Sequence, residues 1–72
     1  MLTSQIRLQV EAVLRARQLE DKAYRAVMNI TQDTPLDVAD RLVEEHKRLN
    51  RVTAREEFKL VTMTIQAAGV AV

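Results

Sequence analysis

The sequence predicts an all-α fold, a helical hairpin of two long helices that is oligomeric. Only one proline and one glycine, Pro35 and Gly69, interrupt its 72 residues, and so few helix breakers favour long helices. Apolar residues recur every three or four positions on both sides of Pro35, as they do along the buried side of a helix. Without a cysteine and with His46 as the only histidine, neither a disulfide nor a zinc-type site can support a chain that gains about 3–5 kcal/mol from its own core.

The first helix is predicted over residues 4–29, where Thr3 or Ser4 can cap the free amides of the first turn. One broad apolar stripe is expected to face the second helix, and Gln5 and Gln9 interrupt it, either bonding across the helix interface or facing water. A second apolar strip implies that something packs on the back of this helix. The stripe comprises Leu2, Ile6, Ala12, Val13, Ala16, Leu19, Ala23, Ala26, Val27 and Ile30, and the strip comprises Val10, Leu14, Tyr24 and Met28.

A turn over residues 30–34 leads into the second helix, predicted over residues 35–68. Thr34 is a suitable cap, Pro35 suits the first helical position, and Asp37 lies near the positive end of the helix. The side predicted to be buried carries Leu36, Ala39, Leu42, Val43, His46 and Leu49.

Whether the second helix is continuous stays open at residues 50–53. Thr53 and Glu56 have the spacing of a capping box, which would begin a third helix. The absence of Gly and Pro between Pro35 and Gly69 favours one continuous helix. Gly69 is expected to end it, with residues 69–72 as an extended tail of the single 1–72 domain.

The carboxyl-terminal stretch LVTMTIQAAGVAV carries no charged side chain. Its apolar residues form two rows, and a hairpin can cover only one of them, so a helix that is apolar on most of its circumference needs further protein around it. The predicted interface comprises Phe58, Leu60, Val61, Met63, Ile65, Ala67, Ala68, Val70 and Val72, together with Val10, Leu14, Tyr24 and Met28 on the first helix.

The polar residues predict no enzyme, no cofactor and no metal site. Ser4 is the only serine, and His46 has no oriented partner at helical spacing except Asn50. The net charge of +1 disfavours nucleic acid as a partner. A row of basic residues is interpreted first as a solvated or salt-bridged face, then as a site for an acidic protein, and last as a phosphate-binding face; it comprises Arg41, Arg48, Arg51, Arg55 and Lys59.

The start of the chain does not resemble a cleavable secretory signal, because Arg7 and Glu11 lie within its apolar part. No stretch reaches the roughly 18–20 apolar residues that span a bilayer. We therefore expect a cytoplasmic protein, or one exported without a cleavable signal peptide.

The segment TQDTPLDVADRLVEEHKRLNRVTAREEFKLVTMTIQAAGVAV, with the helix before it, resembles the needle and inner-rod subunits of bacterial type III secretion systems. Those subunits are small helical hairpins, so the resemblance implies a subunit whose carboxyl-terminal helix packs against copies of itself in a tube. The chain departs from the family in its turn, Asp33-Thr34-Pro35-Leu36, where needle subunits carry a Pro-Ser-Asp-Pro-like turn, and in its charge-rich second helix.

Three functions follow from these observations. The first is a non-enzymatic structural subunit that self-associates through its apolar carboxyl-terminal helix. The alternative is a small adaptor, chaperone or inhibitor of phage or plasmid type that binds another protein. The third is a helical-hairpin RNA binder that uses the basic row.

Overall fold

The computed structural model describes residues 2–69, with side chains described from residue 4 onward, as two α-helices joined by a short turn. Helix α1 spans Leu2–Met28 and helix α2 spans Leu36–Gly69. The two helices pack against each other along a narrow rod of 58 × 15 × 13 Å. The predicted all-α helical hairpin is therefore confirmed. The predicted positions Val70 and Val72, and the extended tail after Gly69, lie outside the described residues.

The turn between the helices uses its threonines to close on itself. The Thr34 hydroxyl accepts a hydrogen bond from the Thr31 amide (3.0 Å), and the Thr31 hydroxyl accepts one from the Asp33 amide (3.2 Å). The first bond of α2 runs from the Ala39 amide to the Pro35 carbonyl (2.9 Å). Thr34 thus stabilises the turn instead of capping α2. Pro35, which is predicted as the first residue of α2, lies directly before it. Helix α1 likewise begins before its predicted caps.

One line of residues on each helix, which we call the inner seam, faces the other helix. Its positions alternate at spacings of three and four residues, the pattern of helices that pack nearly side by side. Every member is buried or half-buried. On α1 the inner seam comprises Ile6, Gln9, Val13, Ala16, Glu20, Ala23 and Val27, and on α2 it comprises Ala39, Leu42, His46, Leu49, Thr53, Glu56, Leu60, Met63 and Ala67.

The core within the described residues is small. Val13, Ala16, Leu49 and Thr53 are buried, and none of the largest side chains is fully enclosed. Alanines let the helices approach closely but bury little apolar area each, and five polar residues occupy the inner seam. The hairpin is therefore held by a thin line of contacts rather than by a layered core.

Helix α2 is continuous through residues 50–53. The Thr53 hydroxyl donates a hydrogen bond to the Leu49 carbonyl (3.0 Å), one turn back in the same helix. Because that hydroxyl lies within a continuous helix and bonds backwards along it, Thr53 does not begin a third helix. Its buried polar atom is satisfied within α2, so it can lie in the inner seam without a partner from α1.

Two leucines that were expected in the core are exposed. Leu36 is 77% exposed because it is the first residue of α2, where the turn leaves no turn of α1 opposite it. Leu19 is 54% exposed because its neighbour Glu20 occupies the inner seam, which places Leu19 at the border of the helix pair. The apolar stripe predicted on α1 was therefore too broad on the Leu19 side.

Candidate association surface

The outward side of the second half of α2 carries an uncovered apolar line, which we call the outer seam. With about 100° between successive helical residues, it lies about 140° around the helix from the inner seam. Phe58 is 72% exposed, Ile65 64% and Val61 53%. Of the two apolar rows predicted at the end of α2, one contains Leu60, Met63 and Ala67, which are half-buried in the hairpin. The other row, which contains Phe58, Val61 and Ile65, is open to solvent. The outer seam comprises Ala54, Phe58, Val61, Ile65 and Ala68.

The register of the hairpin leaves the carboxyl-terminal end of α2 without α1 opposite it. The Gln9 side-chain amide donates to the Glu56 carbonyl oxygen (2.9 Å) and to its carboxylate Oε2 (2.7 Å), which sets these residues side by side. Counting from this pair, Leu2 lies level with about residue 63. Helix α2 has 34 residues against 27 in α1, so residues 64–69 extend past the described start of α1. The outer seam continues onto this overhang.

The bond between Gln9 and Glu56 is also the main electrostatic feature of the inner seam. Glu56 is half-buried, and the amide of Gln9 holds the pKa of the Glu56 carboxyl below its usual value, with Lys59 and Arg55 adding to the effect. Lys59 Nζ lies 3.6 Å from the Glu56 carboxylate. Of the two glutamines noted in the sequence, Gln9 therefore bonds across the helix interface, whereas Gln5 is exposed.

The predicted strip on the back of α1 is exposed as well, although it is broken by charge. Val10 is 38% exposed and Met28 64%, with Leu14 and Tyr24 between them. Arg17 interrupts the strip and bonds to Glu57 of α2 at 3.3 Å. This strip is a weaker candidate surface than the outer seam, whose line of apolar residues contains no charged side chain.

On the side of the hairpin opposite the α1 strip, the two helices form a shallow groove that was not predicted from the sequence. Its volume is about 280 Å³, its floor comes from both helices, and Lys22 and Glu45 stand at its rim. Leu8, which is 62% exposed, belongs to the same side of α1, within about 20° of Leu19. The 11-residue spacing between Leu8 and Leu19, which is about three helical turns, was the signal in the sequence that indicated an apolar side here. The apolar lining comprises Leu19, Ala23, Ala26, Leu42 and Leu49.

All five residues of the basic row are exposed. Arg48 makes two hydrogen bonds to the Glu45 carboxylate (2.6 and 3.1 Å), which lower the pKa of Glu45. Glu44, which lies four residues before Arg48, pairs with Lys47 instead (3.5 Å). Lys59 is occupied by Glu56, so within residues 2–69 the ion pairs leave three members of the row free. These are Arg41, Arg51 and Arg55.

The single histidine of the sequence lies in the inner seam, against a tyrosine of α1. His46 is half-buried, and its ring centroid lies 5.7 Å from that of Tyr24 at an interplanar angle of 50°. This contact is a packing contact between two rings. Over the described range, no three His, Asp or Glu side chains are grouped as metal ligands would be. Neither helix, over that same range, has a segment of the length and hydropathy needed to traverse a lipid bilayer.

The fold and the outer seam together define a two-helix protein with an unpartnered apolar face. Comparison of the chain with protein-family models, with curated proteins and with solved structures finds no match. The resemblance to type III secretion needle and inner-rod subunits accordingly stays a prediction.

Proposed function

We propose that this protein is a non-enzymatic helical subunit that self-associates through the outer seam of α2. The observation that supports the proposal is the exposure of Phe58, Val61 and Ile65 in one uncharged line on the outward side of the helix. Scattered exposed hydrophobic residues are common on protein surfaces, whereas a contiguous apolar line marks an interaction site.

The energetics favour association because the hairpin has so little core. Covering about 400 Å² of apolar surface contributes on the order of 10 kcal/mol before the costs of association. A core in which four of the described residues are buried, in a chain of this size, supplies about 3–5 kcal/mol. Association through the outer seam would therefore also stabilise the folded hairpin, and the stability of the protein should rise with its concentration.

The test is the solution mass as a function of concentration, measured by light scattering or sedimentation. We expect wild-type protein to exceed the monomer mass and Ile65→Asp to remain monomeric. Leu8→Asp is the matched control, because Leu8 has a similar exposure (62% against 64%) on the other helix. An Ile65→Asp variant with wild-type mass and melting temperature would show that copies do not meet at the outer seam.

The groove between the helices supports a second candidate, an adaptor, chaperone or inhibitor that binds a different protein. The groove is apolar, opens to solvent and has one cation and one carboxylate at its rim, features suited to an apolar anchor side chain from a partner. Substituting Ala26 by Trp would fill the groove without touching the outer seam. Loss of partner binding with unchanged self-association would identify the adaptor function, and loss of neither would remove the groove as a binding site.

The basic row supports the third candidate, an RNA binder, less well. Arg48 and Lys59 are already paired with carboxylates, and the interleaved glutamates reduce the field that a phosphate backbone requires. The cellular location depends on the partner. It stays a prediction that the protein is cytoplasmic, or exported without a cleavable signal peptide.

A further inference from the structure

We propose, building on the self-association described above, that the outer seams of two copies pair in antiparallel fashion about a two-fold axis. In this arrangement Phe58 of one copy lies opposite Val61 of its partner copy, and Ala54 lies opposite Ile65. The occupant of the surface is thus the same surface on a second copy, and the product is a closed pair. Self-association through the outer seam alone does not fix the orientation of the two copies, whereas this pairing does.

The spacing of the outer seam fits pairing with a second helix. Its members alternate at intervals of four and three residues from Ala54 to Ala68, the repeat that keeps an apolar line facing a partner helix along its length. The line is about 21 Å long. Antiparallel pairing sets each large side chain opposite a smaller or branched one, so that the two lines interdigitate.

Charge complementarity selects the antiparallel orientation. The basic residue Arg51 occupies the next position of the outer seam towards the N-terminus, and the last turn of α2 contains no basic residue. Antiparallel pairing places Arg51 over the last turn of the partner copy near Ala68, where the carbonyl ends of the helix carry partial negative charge. A parallel pair would instead set Arg51 against Arg51 and add Arg55 beside them.

The residues that flank the outer seam are consistent with this register. On one side Arg55 would lie beside Thr62 of the partner copy, and on the other side Glu57 would lie beside Thr64. No two like charges meet along the contact. Neither Arg51 nor Arg55 is used in an ion pair within residues 2–69, so pairing does not have to break an existing salt bridge to recruit Arg51.

The size of the surface predicts a weak, reversible pair. About 400 Å² of apolar surface covered in the pair as a whole, at the roughly 57% apolar share of an ordinary interface, corresponds to a total near 700 Å², below the roughly 1,200–2,000 Å² of standard stable interfaces. We therefore expect a dissociation constant in the micromolar range or above. The mass should reach that of two copies and should not increase further with concentration. A closed two-fold pair uses up both outer seams, which is why no filament follows from this contact.

Spin-label distances test the orientation directly, because the chain has no cysteine and each introduced one is unique. Labels at Asp40→Cys, Lys47→Cys and Thr64→Cys lie at successively smaller distances from the two-fold axis near residue 60. At 1.5 Å per residue and an 8–10 Å spacing between helix axes, antiparallel pairing predicts about 60, 40 and 20 Å between the two labels of a pair. Three short distances of similar length would show parallel pairing and overturn the inference.

A charge reversal gives the second test. Arg51→Glu should raise the dissociation constant of the pair by about tenfold or more. At each of the two symmetry-related contacts, the substitution sets a carboxylate against the negative end of the partner helix. Arg41→Glu is the control, because it lies beyond the end of the paired segment and should leave the dissociation constant unchanged. An Arg51→Glu variant that pairs as tightly as wild type would overturn the antiparallel register.

The two proposals fail in distinguishable ways. A dimer mass with three short distances removes the antiparallel inference and leaves self-association standing. A monomer mass at every concentration removes both. A dimer whose mass is insensitive to Ile65→Asp shows that the copies meet elsewhere and also removes both.

Discussion

Truncating Phe58 to alanine should weaken association while leaving the hairpin folded. Burying a phenylalanine side chain completely contributes about 1.5–3 kcal/mol, and Phe58 is 72% exposed in the free hairpin. Each copy therefore loses about 1–2 kcal/mol of burial on association, and a two-fold pair loses about 2–4 kcal/mol. That corresponds to an increase of about 30- to 1,000-fold in the dissociation constant.

Sedimentation equilibrium across a wide concentration range would measure this change, with circular dichroism at high dilution to monitor the fold. The isolated hairpin should melt at or slightly above the wild-type temperature, because alanine is the better helix former and Phe58 buries little in the monomer. Leu8→Ala serves as the control, since Leu8 exposes a similar fraction but lies outside the outer seam. Equal dissociation constants for Phe58→Ala and wild type would refute the assignment of the outer seam as the contact.

Three further predictions concern the fold. Leu49→Ala should destabilise the hairpin by about 2–3 kcal/mol, the low end for a core leucine because Leu49 already borders the groove, and Leu36→Ala, at a 77% exposed site, should change the melting temperature little. Arg17→Ala should cost under about 1 kcal/mol in a urea titration, since its pair with Glu57 is exposed to solvent. Because the pKa of Glu56 is lowered in the folded hairpin, the ionised carboxylate stabilises the fold at pH values above the ordinary pKa of 4.5, and this stabilisation is lost as the pH falls through the pKa of the folded state. The urea midpoint should therefore drop less between pH 7 and pH 3 for Glu56→Gln than for wild type. An identical drop for both proteins would contradict the role of the ionised carboxylate.

The hairpin could be predicted from the sequence because its signals are local. Pro35 and the acidic start of α2 mark where the chain reverses, and the three-and-four spacing on either side marks the helices. The two apolar rows at the end of α2 could also be recognised, as could the fact that one hairpin covers only one of them. Local pattern does not say which row, because that depends on the register between two helices that are distant in sequence.

The composition of the inner seam was harder to foresee. It contains Gln9, Glu20, His46, Thr53 and Glu56, whereas the more uniformly apolar line of α2 lies outside. A polar residue can face another helix when it finds a partner there, and Gln9 finds Glu56 at a separation of 47 residues. No short-range rule links residues so far apart. The same limit explains why Leu19, adjacent to a buried-side glutamate, was assigned to the core.

The hydrogen bonds from Gln9 to Glu56 lie near the open end of the hairpin, far from the covalent connection at residues 29–35. The two helices are thus joined at both extremities, by the chain itself at one and by a side-chain amide at the other. Between them lie the buried residues of the described chain, Val13 and Ala16 on α1 and Leu49 and Thr53 on α2. Opening of the hairpin therefore requires loss of this central cluster, and amide protons near Leu49 should exchange with solvent more slowly than those of residues 64–69, which extend past α1.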